Sequence, residues 1–178
     1  MNKGGNEELN KAFFQTKEAR LWGAQLQFIP QNKLTISINY NHIGKEGRFL
    51  FPREWGREFL FTFQRRERNE GTGNAHAWTT QVSKTWSWTG SHKLKLNAGY
   101  GHYYRPSAND VTYNKYTLPA NSQTNFGVLY HFGGILKGMR LEYLVAYKRL
   151  LDSTVSNPRF IINRVNMWNH NLVLNYQF

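Results

Sequence analysis

The chain has 178 residues, a formal net charge of +12 and no cysteine. That excludes a disulfide framework and any thiolate metal site, and no run of about eighteen apolar residues is present to form a transmembrane helix. Aromatic residues make up 16% of the chain, yet its mean hydropathy is −0.65, so the rings must alternate with polar residues rather than fill an ordinary apolar core.

Residues 1–8 are polar, with no apolar stretch and no small-residue cleavage site, so they are not a signal peptide. Residues 1–18 read as a polar external loop with a short helical turn near 9–14. The first strand is expected over 19–29, with Trp22, Ala24, Leu26 and Phe28 on one face. A tight turn at 30–32 carries Pro30 and Asn32. Strand 33–42 alternates cleanly: Leu34, Ile36, Ile38 and Tyr40 face one way, and Lys33, Thr35, Ser37, Asn39 and Asn41 the other. Such period-two alternation marks a strand with one apolar and one polar face.

A long irregular stretch, 43–75, precedes strand 76–88, which carries Trp78, Val82, Trp86 and Trp88 on one face, interrupted by Lys84. A turn at 89–92 leads to strand 93–104. Residues 105–120 form a loop containing Pro106 and Pro119. Strand 121–132, the short turn 133–138 and strand 139–149 follow. A last loop, 150–166, leads to a closing strand in which Trp168, Leu172, Leu174, Tyr176 and Phe178 alternate with Asn169, Asn171, Asn175 and Gln177.

Connections thus alternate between short and long, which is the pattern of short periplasmic turns and long external loops in outer-membrane barrels. The second face of every strand is built of Asn, Gln, Thr, Ser, Lys and Gly, too polar for a packed soluble core. These features favour an all-β, transmembrane antiparallel barrel over a soluble sandwich or lipocalin-like barrel. The aromatic final residue resembles the terminal signal of bacterial outer-membrane barrels, which implies the barrel assembly machinery as a partner through Phe178. In that setting the last strand descends to the periplasm. Counting back, 150–166, 105–120 and 43–75 are external, so the alternating Phe59–Phe63 stretch belongs to a loop and not to an eighth strand. Seven wall strands do not close a single-chain bacterial barrel, which has an even number starting from eight. Together with the missing signal, the odd count predicts the C-terminal portion of a larger barrel.

Loop 43–75 holds seven basic and five acidic residues, interleaved with rings that imply an ordered loop. Folded inward, it would narrow a lumen, with part of its arginines paired to Glu46, Glu54, Glu58, Glu67 or Glu70 and the rest available to anions. The candidates are Arg48, Arg53, Arg57, Arg65, Arg66 and Arg68. Truncating Arg53 or Arg57 is expected to widen the pore or to lower anion preference. On the wall, parity turns Lys33, Lys93, Lys95, Arg140 and Lys148 inward against Glu142 alone, a positive surface that draws anions. Lys33, Lys93 and Arg140 equally suit headgroup contacts near the periplasmic mouth; Lys95 is the better wall candidate. The outward rings, among them Trp22, Trp78, Trp86, Tyr100, Tyr147, Trp168 and Tyr176, suit girdle and lipid-facing positions.

The segment Gly-Arg-Phe-Leu-Phe-Pro-Arg-Glu-Trp-Gly-Arg-Glu (47–58), followed by Arg-Glu-Arg-Asn-Glu-Gly (66–71) and a barrel-type end, resembles the OprD-like family of outer-membrane porins. The resemblance implies an eighteen-stranded monomeric barrel with a narrow pore, inward-folded third and seventh external loops, and basic side chains that guide carboxylate solutes. The seven strands would then be the twelfth to eighteenth, and 43–75 the seventh external loop. The whole chain, 1–178, is on this reading a partial barrel domain, with outer-membrane lipid and small anionic solutes as partners and diffusion as its transport mode. The alternative is a soluble or surface β-protein that binds polyanions or nucleic acid through its charge. Its aromatic and basic residues would have to share a sheet face, but here they lie mostly on opposite faces. No histidine set has metal-ligand spacing, Gly71-Thr72-Gly73 lacks the strand-to-helix setting of a phosphate cradle, and no nucleophile motif is present. Neither an enzyme nor a cofactor protein is expected.

Overall fold

The computed structural model describes residues 19–50, 60–67, 69–152, 155 and 165–177. Arg53, Arg57, Arg68 and Phe178, and the helical turn expected near 9–14, lie outside the described residues.

Seven strands form one antiparallel sheet in simple sequence order. They are β1 (Leu21–Phe28), β2 (Leu34–Ile43), β3 (Ala75–Ser87), β4 (Lys93–Tyr104), β5 (Asn121–His131), β6 (Met139–Leu150) and β7 (Met167–Tyr176). Each matches an alternating stretch of sequence to within about two residues. Each pairs with its neighbours in chain order. β1 and β7 are the two edges, and they are not paired with each other.

The register keeps parity across the whole sheet. Leu26 pairs with Ile38, Ile38 with Thr80, Thr80 with Tyr100, Tyr100 with Thr124 and Thr124 with Tyr147. The apolar face is therefore continuous and exposed: Leu26 is 72% exposed, Leu172 67% and Trp168 63%. Tyr40, Trp78, Tyr104 and Trp168 cluster toward the long-loop end with their ring partners. Trp86, Tyr130, Phe132 and Tyr176 lie toward the short-turn end. Trp78 and Trp86, eight residues apart on β3, span about 26 Å of strand.

The buried residues lie on the polar face instead. Asn39, Asn41, Thr79, Tyr103, Asn121 and Gln123 are all almost fully buried there. Their amides and hydroxyls bond across strands: the Gln25 amide donates to Asn39 (2.8 Å), and the Asn39 amide to Thr79 (3.0 Å). What buries them is loop chain folded over this face, not a second sheet.

Short turns close one end. Thr89–Ser91 and Gly134–Leu136 form single 3-10 turns. They touch each other through the Gly133 N–H, which donates to His92 Nδ1 at 3.2 Å, and His92 in turn meets the Tyr130 hydroxyl at 2.8 Å. At the opposite end the long connections are ordered where described. Residues 44–49 and 71–74 continue the β2–β3 hairpin as a ribbon through Gly44, Phe49, Thr72 and Asn74, and 71–73 bonds on to 113–115. Loop 105–120 is built around Asn114: its amide donates to the carbonyls of Pro106, Ser107 and Leu118, and its Oδ1 accepts from the Leu118 N–H.

Candidate functional site

Residues 60–67 cross the polar face of the sheet from β1 to β6. Phe61 lies against Gly23 of β1. The Thr62 hydroxyl bonds to Asn41 of β2, and the Thr62 carbonyl accepts from the Tyr103 hydroxyl of β4 at 2.8 Å. Gln64 seats on Gly99 and Gly101 of β4, and its side-chain oxygen accepts from Tyr103 at 3.2 Å. The Arg65 carbonyl accepts from Gln123 (2.7 Å) and Asn125 (3.3 Å) of β5. The Arg66 carbonyl accepts from Lys148 of β6 at 3.2 Å. None of these residues is a strand of the sheet; the segment turns on Arg66, whose φ is +73°, and closes a small bridge between Gln64 and Glu67. Residues 60–63, which alternate in sequence like a strand, thus belong to the loop and not to the sheet.

The segment ends on a buried charge cluster. Glu67 Oε1 meets Arg105 Nη2 at 2.7 Å, and its Oε2 meets Lys148 Nζ at 2.6 Å. Asn121 donates to the same Oε2 at 3.2 Å. Arg105 also donates to Asn69 (3.1 Å), to Asn121 (2.6 Å) and to the Pro119 carbonyl (3.0 Å). The Arg105 and Glu67 side chains are 0% and 1% exposed. Burial raises the Glu67 pKa, but the two cations and their hydrogen bonds outweigh it and hold the carboxyl below its ordinary value. Both cations contribute to keeping this dry carboxylate ionised.

Arg65 sits differently. Its side chain is 62% exposed and pairs with Glu142 of β6. Beneath it, on the short-turn side of the segment, the polar face forms a half-open hollow of about 470 Å³, lined by Arg65, Gln25, Gln81, Lys95, Asn97 and Asn125 among others. Two residues predicted from sequence, Arg65 and Lys95, therefore meet at one space. The others part company. Arg48 is 3% exposed and donates to the Val111 carbonyl at 3.2 Å, so it ties loop 43–75 to loop 105–120. The Arg66 side chain is exposed at the turn. Arg140 lies opposite His131 and Asn175, at the short-turn end. Lys33 bonds Ser87 at the first turn. Lys93, also at that end, pairs with His131. Lys148, expected as a wall charge facing solute, is instead consumed by Glu67.

Arg105 was not anticipated. Parity alone could have found it, since it continues the inward series Lys93, Lys95, Tyr103 one step past the end of β4. The inward glycines Gly23, Gly99 and Gly101 were also a signal, because a strand glycine often marks close approach by another segment. Among the described residues no group of three or more His, Cys, Asp or Glu is placed to hold a metal ion, and no helix is long and apolar enough to cross a membrane, which says nothing of strands. Protein-family models, curated proteins and solved structures give no match to this chain.

Proposed function

We propose that this chain forms wall strands of an OprD-like outer-membrane barrel, a porin through which small anionic, carboxylate-bearing solutes diffuse. The observation that carries the reading is segment 60–67 laid across the polar face of a sheet whose other face is an exposed aromatic and aliphatic surface. In water that outer face would be a very large apolar patch, of the kind that marks a membrane or partner surface. The open edges of β1 and β7 fit the same reading: within a bilayer unpaired edge groups are untenable, so further strands would complete the ring. With the sheet curled around its polar face, 60–67 is the constriction, Arg65 its exposed cation and Lys95 a second cation on the wall. The hollow between them would offer an anion Lys95 and the Arg65–Glu142 pair, whose guanidinium has donors to spare, amid neutral amides.

Reconstitution of the complete gene product in planar bilayers tests the proposal. Anion-preferring conductance is the expected result, lowered in preference by Arg65→Gln. Cation preference, or the absence of conductance, would sink it. Fractionation adds an inexpensive check, since a product that is soluble without detergent would favour polyanion binding by a soluble β-protein.

A further inference from the structure

We infer that Glu67 is a positioning residue whose ionised carboxylate latches segment 60–67 onto the ends of β4 and β6 and so holds Arg65 over the lumen. The inference deepens the porin reading and rests on it for its electrical readout.

The geometry is that of a clasp. Glu67 closes the segment, and its two oxygens reach separate strands: Oε1 takes Arg105, just past the end of β4, and Oε2 takes Lys148 of β6 and the Asn121 amide of β5. Two residues upstream, Arg65 is held mainly by its own carbonyl, on Gln123 and Asn125. Besides the exposed Arg65–Glu142 pair and the Lys148 bond to the Arg66 carbonyl, the segment is held by neutral hydrogen bonds and glycine seats, the bonds worth roughly 0.5–1.5 kcal/mol each. Glu67 is the point of the segment at which buried charges meet. Among the described residues the carboxylate meets Arg105 and Lys148, with Tyr103 on β4 nearby, and β5 presents the neutral Asn121. Protonating Glu67 removes the carboxylate that meets both of these buried cations, a change that favours release of the segment and rehydration of both cations. The cations hold the carboxyl ionised to below the ordinary carboxylate range, so the latch stays shut at neutral pH and opens only in acid.

The experiment uses the complete gene product in planar bilayers, inserted at neutral pH and then acidified. The expected result is a single open level at neutral pH that is lost below the carboxylate range and replaced by a higher, fluctuating current. Glu67→Gln should fluctuate already at neutral pH and show no acid step, while Glu67→Asp should restore the step. Glu142→Gln, which frees Arg65 without touching the clasp, should keep it. An acid step that survives in Glu67→Gln, or that disappears in Glu142→Gln, overturns the inference, as does a wild-type current that stays at one level throughout. Hydrogen exchange at the amides of 60–67 separates this failure from failure of the porin reading, because it needs no current. In detergent at neutral pH the exchange should be faster in Glu67→Gln than in wild type, and equal rates overturn the latch whether or not the protein conducts. A Glu67→Gln protein that does not fold leaves the wild-type acid titration to decide.

Discussion

Arg105 shows how one side chain can join two connections and a strand. It bonds Glu67 and Asn69 from the 43–75 excursion, the Pro119 carbonyl from its own loop, and Asn121 at the start of β5. Its guanidinium also lies over the Tyr103 ring at 5.3 Å, a contact of the cation–π type. Lysine could not replace this fork, which needs donors in several fixed directions. Arg105→Leu is predicted to destabilise the fold by about 3–5 kcal/mol, because it leaves Glu67 buried with one cation fewer. Urea unfolding in detergent would measure the loss, and a loss below about 1 kcal/mol would mean that Glu67 relaxes to another partner. The same cluster sets a pH dependence. A carboxyl whose folded pKa lies below its unfolded one adds stability above the unfolded value, and that stability is lost as pH falls through the folded pKa. The unfolded reference is about 4.5. The Glu67 contribution to the unfolding midpoint should therefore be constant from neutral pH down to that value and be lost below it, so Glu67→Gln should make the acid limb below that value shallower.

At the scale of elements, the strands were legible because each alternates cleanly and each short turn is punctuated by Gly, Pro, Asn or Ser. Even Lys84, which breaks the apolar face of β3, keeps outward parity and lies 5.8 Å from the Trp86 ring. The loops were not legible to the same degree. Their order depends on Asn114 and Arg105 meeting carbonyls far away in sequence, and no period in the chain announces such pairings. The charge count on the polar face was readable, but its use was not. Lys95 and Lys148 look alike by parity, yet one borders open space and the other is enclosed by Glu67. Spatial partners, invisible in one dimension, made the difference. The turns carry a separate prediction. A Cβ on Gly133 would overlap the Gly90 carbonyl and crowd His92, joining the two short turns too tightly. Backbone cannot swing aside as a flexible side chain can, so Gly133→Ala should cost about 1–3 kcal/mol. Gly134→Ala meets no neighbouring atom within 4 Å but sits at φ +59°, so its cost should be purely conformational and about 1 kcal/mol. Comparing the two unfolding midpoints separates crowding from backbone strain.

At the scale of the whole molecule, the sheet is inside out relative to a soluble fold: its amides and charges are buried and its Leu, Trp and Phe face outward. Only the solvent on the outer face distinguishes the readings, and Phe126 can report that solvent. It sits near the middle of β5, between Ala98 of β4 and Val145 of β6, and is 46% exposed. Nothing packs over it among the described residues, so an arginine there meets no steric bar. If the outer face meets water, Phe126→Arg should be close to neutral, within about 0.5 kcal/mol. If it meets hydrocarbon, the charge must be drawn toward the middle of the apolar band, and the cost should be about 2–4 kcal/mol, shrinking toward either aromatic belt. A series placing Arg at Phe126, at Val128 and at Tyr130 moves the charge along one face of one strand toward the short-turn belt. Unfolding in lipid vesicles should give a penalty that falls steadily along that series. A flat series would mean that the exposed face is not lipid-facing, whatever the composition of its rings.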